Sequence, residues 1–183
     1  MKLHRTSLPG LHEIRHTPVG DARGRFTRLF CEQELASIRP GLHFTQINLS
    51  ETRERGTLRG MHYQLPPAAD AKLIRCLRGC VFDVAVDLRA GSPTFLHWHA
   101  LELGEDNDHA VFIPEGFAHG FQTLTDDVQL LYMHTAPWTP ACESGLRHDD
   151  PRLAIEWPLP VTKVSDRDRS YPLIDEAFDG VRT

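Results

Sequence analysis

The sequence predicts an all-β protein folded as one sandwich or barrel, and three observations lead there. Apolar residues alternate with a period of two in one segment after another. Turn-forming residues interrupt these segments about every 8–12 residues, the spacing of short strands in sandwiches and barrels. Helical patterning is confined to two short stretches, at residues 31–38 and at the run beginning with Ser165.

Taken in order, residues 31–38 read as a short helix that Arg39-Pro40-Gly41 stops. Residues 44–50 form a strand with Gln46 and Asn48 on one face and Ile47 and Leu49 on the other. Residues 71–77 set Lys72, Ile74 and Cys76 against Leu73, Arg75 and Leu77. Residues 81–88 place Phe82, Val84, Val86 and Leu88 opposite Val81, Asp83, Ala85 and Asp87. Further strands read at 96–103, 110–113, 120–124 and 128–135, separated by Arg78-Gly79, by residues 90–93 and 104–108, and by Thr125-Asp126-Asp127. Ser165 and Asp168 have the spacing of a capping box at a helix start. Residues 175–183 are expected to fray.

A chain of 183 residues with 40% apolar residues is long enough to bury a core without disulfides or a structural metal. One domain over 1–183 is expected. The net charge of −5 argues against a nucleic-acid partner while leaving room for a local basic pocket. Residues 1–20 contain no apolar run, and Asp83, Asp87 and Arg89 interrupt the most apolar stretch, so neither a signal peptide nor a membrane span is expected. The expectation is a soluble, cytoplasmic protein. Cys31, Cys76, Cys80 and Cys142 are too few and scattered for a disulfide framework or a zinc site, and read as buried structural thiols.

Two segments are too particular for generic strand: 56–64 (GTLRGMHYQ), followed by Pro66-Pro67, Lys72 and Gly79, and 112–121 (FIPEGFAHGF). Both resemble the paired motifs of the cupin jelly roll, which predicts a cupin jelly-roll barrel with short flanking helices. Metal-binding cupins supply His-x-His, a glutamate and a later histidine at these positions. Here only His62 and His119 match; Gln64 replaces the second histidine, and Lys72 falls near the carboxylate position. An ammonium has no lone pair for a metal. The expectation is a site with no metal and no cofactor, converted to side-chain acid–base chemistry.

From about residue 19 to 174 the sequence resembles the dTDP-4-dehydrorhamnose 3,5-epimerase family. The matching phrases are 20–24 (GDARG), Gln46-x-Asn48, 57–64 (TLRGMHYQ), 72–76 (KLIRC), 82–89 (FDVAVDLR), 91–95 (GSPTF) and 114–121 (PEGFAHGF), with Tyr132, Ser165-x-x-Asp168 and Pro172. The resemblance implies metal-free epimerisation at C3, C5 or both of a nucleotide-linked 4-keto-6-deoxy sugar. It makes His62 the base, Asp168 its partner, Lys72 the donor to the C4 oxygen and Tyr132 the acid on the opposite ring face. A C–H beside a ketone is a very weak acid, so removing its proton needs both a placed base and a cation at the developing enolate. The resemblance also places Arg23, Phe26, Arg28, Gln46, Asn48, Arg59, His119 and Trp138 around the substrate. It implies a homodimer whose sites are completed by the neighbour's amino-terminal strand.

By themselves several of these residues read blandly: Tyr132 as a core tyrosine, Asp168 as a cap acid, Arg23 as a solvated turn residue. His97, His99, His134 and His148 have no motif support and read as surface or packing residues. Arg28 stands where the family carries a glutamate, and Trp138 where it carries a tyrosine; Met133 and His148 also differ. The acid–base set is therefore intact and the nucleotide-reading set altered. A metal-dependent cupin oxygenase, a non-catalytic sugar-nucleotide binder and a single-centre epimerase on a non-dTDP sugar remain alternatives.

Overall fold

A computed structural model describes residues 1–183. Its strands are β1 (Lys2–Arg5), β2 (His12–Arg15), β3 (Val19–Asp21), β4 (Gly24–Phe26), β5 (Gln46–Thr52), β6 (Leu58–Gln64), β7 (Lys72–Arg78), β8 (Cys80–Asp87), β9 (Trp98–Gly104), β10 (His109–Ile113), β11 (Phe117–Thr123), β12 (Val128–His134) and β13 (Glu143–Gly145). Two one-turn helices, α1 (Glu32–Leu35) and α2 (Asp166–Ser170), flank them. One antiparallel sheet runs β1-β2-β10-β7-β12-β5 and the other β13-β6-β11-β8-β9, while β3 and β4 form a separate hairpin. The architecture is the all-β, cupin-like jelly roll that the sequence predicts.

Alternation explains how each sheet buries both faces. Ile74 and Cys76 of β7 and Leu130 of β12 meet Val81 and Ala85 of β8 and Phe117 and Phe121 of β11 in a core between the sheets. The opposite parity of β8, Val84 and Val86, packs outward under Leu146, Leu153 and Ile174. Leu73 and Met133 likewise pack outward, against Leu35 and Leu42. Strand β5 is inverted. It lies at a sheet edge, with Gln46 and Asn48 turned to the interior cavity and Ile47 and Leu49 left 62% and 54% exposed.

Several expectations are corrected. The helix at 31–38 shrinks to Glu32–Leu35, and Cys31 provides no side-chain cap. Strands β1 to β4 and β13 carry no clear alternation and were not legible as strands, and β6 was marked only by its resemblance to a cupin motif. The carboxyl terminus does not fray throughout: Val181 is buried, its N–H donates to the Leu88 carbonyl, and its carbonyl accepts from Ala90. All four cysteines are free, but only Cys76 is fully buried, the others being half-buried; burial pushes the Cys76 thiol up to about 12. The 91–95 phrase is structural. The Asp87 carboxylate accepts from Arg89, Ser92 and Thr94, and these bonds outweigh its burial to hold it at about 2.

The closest backbone approach lies where β6 crosses β11. A Cβ on Gly120 would sit 2.4 Å from Met61 Sδ and 2.9 Å from the Arg59 carbonyl oxygen, and one on Gly60 would sit 2.5 Å from Gly120 Cα. The β6–β11 register shifts between His119 and Phe121 at this point. Gly120→Ala is expected to destabilise the fold by roughly 1–3 kcal/mol through overpacking. Urea unfolding checks this, and parent-like stability would show that the two strands can separate freely.

Candidate active site

Between the sheets and α2 lies a cavity of about 890 Å³. Both sheets contribute to its walls: Arg59, His62 and His119 come from β6 and β11, and Gln46, Asn48, Lys72 and Tyr132 from β5, β7 and β12. For Gln46, Asn48, Lys72 and Tyr132 the inward direction follows from strand parity, as when Lys72 shares a face with Ile74 and Cys76, whereas Arg59 and His62, three residues apart, flank the β6–β11 register shift.

His62 Nε2 lies 2.8 Å from Asp168 Oδ1. A carboxylate can only accept, so Nε2 carries a proton, and in the neutral imidazole Nδ1 keeps the lone pair. Two features aim Asp168. The Ser165 hydroxyl accepts from the Asp168 N–H at 3.0 Å, capping α2, and Asp168 Oδ2 accepts from the Gly60 N–H at 3.3 Å. Burial pushes the Asp168 carboxyl up, but the bond and charge of His62, with Gly60 and Ser165, outweigh it and hold the group low. The cap expected from the sequence thus exists, and its acid also orients the imidazole. Tyr171 meets the His62 ring edge-on at 6.3 Å.

Lys72 is nearly buried, and its Nζ donates to Asp70 Oδ1 at 2.8 Å. Tyr132 is flanked by two imidazoles, stacked on His134 and edge-on to His119, each at 5.9 Å. Burial, reinforced by the nearby Asp83 charge and opposed by Arg59, raises its phenol well above the ordinary value. Tyr132 is therefore a protonated donor at neutral pH. His119 pairs across the β6–β11 register with His62, and its Nε2 bonds the fully buried Asp83 at 2.8 Å. Asp83 Oδ1 has no partner.

At the rim, Arg59 Nε donates to Thr52 Oγ1 at 3.0 Å. Trp138 is 59% exposed; its indole N–H donates to Glu143, which also holds Arg167 through both carboxylate oxygens. The Arg167 guanidinium reaches within 3.3 Å of His62 Nε2. No group of three or more His, Cys, Asp or Glu side chains is arranged to hold a metal ion.

Nine of the twelve residues named from the sequence line this cavity: His62, Asp168, Tyr132, Lys72, Gln46, Asn48, Arg59, His119 and Trp138. Arg23, Phe26 and Arg28 do not. Arg23 and Phe26 project from the β3–β4 hairpin, Arg23 paired with Asp21 and its side chain 89% exposed, Phe26 76% exposed. Arg28 pairs with Glu34 at 2.7 Å. A single chain holds them apart from its own cavity because the hairpin is a separate two-stranded sheet. His134, read from the sequence as a packing residue, is a wall of the cavity. Asp70, Asp83, Glu143 and Arg167 were also missed. Only Asp83 carried a signal, as a carboxylate sharing a strand face with Val81 and Ala85. His99 pairs with Glu13, and His148 is half-buried, its pKa lowered chiefly by that burial.

A protein-family model described as dTDP-4-dehydrorhamnose 3,5-epimerase matches residues 5–176. A dTDP-4-dehydrorhamnose 3,5-epimerase of Sinorhizobium fredii is 43% identical over 164 residues, 89% of this chain and 84% of that protein. A dTDP-4-dehydrorhamnose 3-epimerase of Streptomyces niveus is 38% identical over 98% of this chain and 86% of its own length. The crystal structure of a dTDP-6-deoxy-D-glucose-3,5-epimerase from Legionella pneumophila, in complex with dTDP-4-keto-L-rhamnose, superposes with a TM-score of 0.92. Its identity is 36%, over 100% of this chain and 98% of that one.

Because the folded Asp168 is held below its unfolded value, its contribution to stability is complete above about pH 4 and disappears as pH falls toward the folded value. Asp168→Asn is expected to be less stable than the parent at pH 7 and to converge on it at strongly acid pH. Urea unfolding at both ends of that range tests the sign; a constant difference would mean that the carboxylate charge is not what His62 and Gly60 stabilise.

Proposed function

The chain belongs to the dTDP-4-dehydrorhamnose 3,5-epimerase family and is an isomerase, and we propose that it inverts C3, C5 or both of a dTDP-linked 4-keto-6-deoxyhexose with side chains alone. The observation that carries this reading is the 2.8 Å His62–Asp168 bond in one cavity with Lys72 and Tyr132. His62 takes the proton from the carbon beside the C4 ketone, and Asp168 favours the imidazolium that forms. Lys72 donates to the C4 oxygen as the enolate charge develops there, where a fixed cation is most effective. Tyr132 stands on β12 of the sheet facing the one that carries His62, which suits an acid returning the proton to the opposite face. C3 and C5 both adjoin C4, so one base and one cation serve either centre.

The absence of a metal in this scheme rests on the donor set. Lys72 brings an ammonium where a cupin metal site needs a carboxylate, and His62 and His119 are each committed through Nε2 to an aspartate. Arg59, with its forked guanidinium, suits the diphosphate, and the exposed Trp138 ring suits stacking on the base. The relatives are named as epimerases, which does not favour an oxygenase or a non-catalytic binder.

The reading includes a cytoplasmic homodimer. Support for the dimer comes from the free edge of β5, with Ile47 and Leu49 outward, and from the solvent-exposed Val19 and Phe26 of the hairpin. A neighbour's amino-terminal segment laid on that edge would bring Arg23, Phe26 and Arg28 to the cavity.

His62→Ala should lower kcat by about 10²–10⁴, the usual worth of a general base, while leaving dTDP affinity within a few-fold. Near-parent turnover would overturn the mechanism. Lys72→Met, which keeps the stem and deletes the charge, should also cut kcat strongly. In heavy water a double epimerase should deliver deuterium and inversion at both C3 and C5, and Tyr132→Phe should selectively suppress inversion at C5. Unchanged C5 inversion in that variant would make Tyr132 a packing residue.

A further inference from the structure

The Lys72 ammonium is the end of a continuous hydrogen-bonded chain whose polarity is fixed throughout. Lys72 Nζ donates to Asp70 Oδ1 at 2.8 Å. The other oxygen of Asp70 lies 2.8 Å from His134 Nδ1. Since that carboxylate is held ionised, its burial being outweighed by His134 and Lys72, His134 Nδ1 must be the donor, and in the neutral imidazole Nε2 is then the acceptor. Asn48 Nδ2 faces Nε2 at 3.5 Å. The Asn48 oxygen accepts from Gln46 Nε2 at 3.2 Å, and the Gln46 side-chain oxygen accepts from the Trp138 backbone N–H at 2.9 Å. Each group in this chain therefore has one orientation consistent with its neighbours.

We propose that His134 is a positioning residue of the epimerase: by occupying the second oxygen of Asp70 it fixes the carboxylate that aims Lys72. The proposal rests on the reading of Lys72 as the cation at the C4 oxygen. Strand register makes the arrangement possible, because His134 lies directly across from Lys72 on β7 and from Gln46 on β5. The need for it is physical. A lysine stem has four rotatable bonds and a compact head with no directional fork, so the ammonium goes where its acceptor is. Asp70 hangs outside the regular strand, two residues before Lys72, and a carboxylate held at one oxygen only is free to turn. His134 removes that freedom, and Asn48 and Gln46 remove the corresponding freedom of His134. The same ring stacks on Tyr132, so it is held between two groups of the proposed chemistry.

His134→Phe keeps a ring against Tyr132 and deletes both hydrogen bonds. It should fold, as thermal unfolding will report, and lower kcat by roughly 10–100-fold, the scale on which a displacement of about 1 Å acts. KM and dTDP affinity should stay within about threefold. His134→Gln, which again offers a donor to Asp70 and an acceptor to Asn48, should recover kcat to within a few-fold of the parent. Asp70→Asn should reproduce the kcat loss, and the double variant Asp70→Asn/His134→Phe should be no slower than the worse single variant, because both act through one carboxylate. Parent-like kcat in His134→Phe, additive losses in the double variant, or no recovery in His134→Gln would each overturn the proposal. If His134→Phe does not fold, a parent-like kcat in Asp70→Asn would overturn it equally. Lys72→Met separates the two readings. Full activity there would defeat the role of Lys72 itself, whereas an inactive Lys72→Met beside a fully active His134→Phe would defeat only this one.

Discussion

Of the five buried aspartates, the three that hold imidazoles at the cavity govern this molecule. Asp70, Asp83 and Asp168 are all nearly inaccessible, and each is bound by an imidazole, with Lys72 added at Asp70. A buried charge without a partner is far more costly than the net gain from one well-made pair. The imidazoles and the ammonium are therefore held in place by the penalty of moving them, and the cavity has its polar lining in position before any ligand arrives. Asp83 is the least satisfied of the three, with one oxygen unpartnered. Its field also falls on Tyr132 and helps to keep that phenol protonated.

The jelly roll itself was readable because its central strands β7, β8 and β11 pack residues on both faces, and a strand read from alternation carries its inward set with it. The reading placed Lys72 beside Ile74 and Cys76, and Gln46 beside Asn48, on single faces; these are the faces that line the cavity. It failed where alternation is not the organising signal. Strand β6 contains Gly60 and alternates no apolar set, since its inward positions belong to Arg59 and His62 and its close contact with β11 depends on glycine. The carboxyl terminus looked polar enough to fray, yet Val181 anchors it by two backbone hydrogen bonds and Phe178 by stacking on Phe95.

The candidate site divides in the same way. His62, Lys72, His119, Tyr132 and Asp168 were found through phrases similar to a known family. Asp70, His134, Glu143 and Arg167 were not, because their significance lies in contacts between β7, β12, β13 and α2 that no spacing encodes. His134 and Lys72 are 62 positions apart, and only the β7–β12 register makes them neighbours. Arg23, Phe26 and Arg28 illustrate the reverse case: the resemblance named them, but Arg23 and Phe26 stand on the β3–β4 hairpin and Arg28 just beyond it, outside the fold's own cavity.

The inverted character of β5 bears on how the proposed homodimer would respond to dilution. The same seven-residue strand offers Gln46 and Asn48 to the ligand cavity and Ile47 and Leu49 to solvent, and side chains alternate along one rigid backbone. Whatever covers the outer face restrains the inner one, so any free energy gained by covering it is shared with ligand binding. In the proposed homodimer, thermodynamic linkage would make ligand affinity a function of protein concentration, and the ligand itself a promoter of assembly. A compound that capped Ile47 and Leu49 from outside would act on the cavity without entering it.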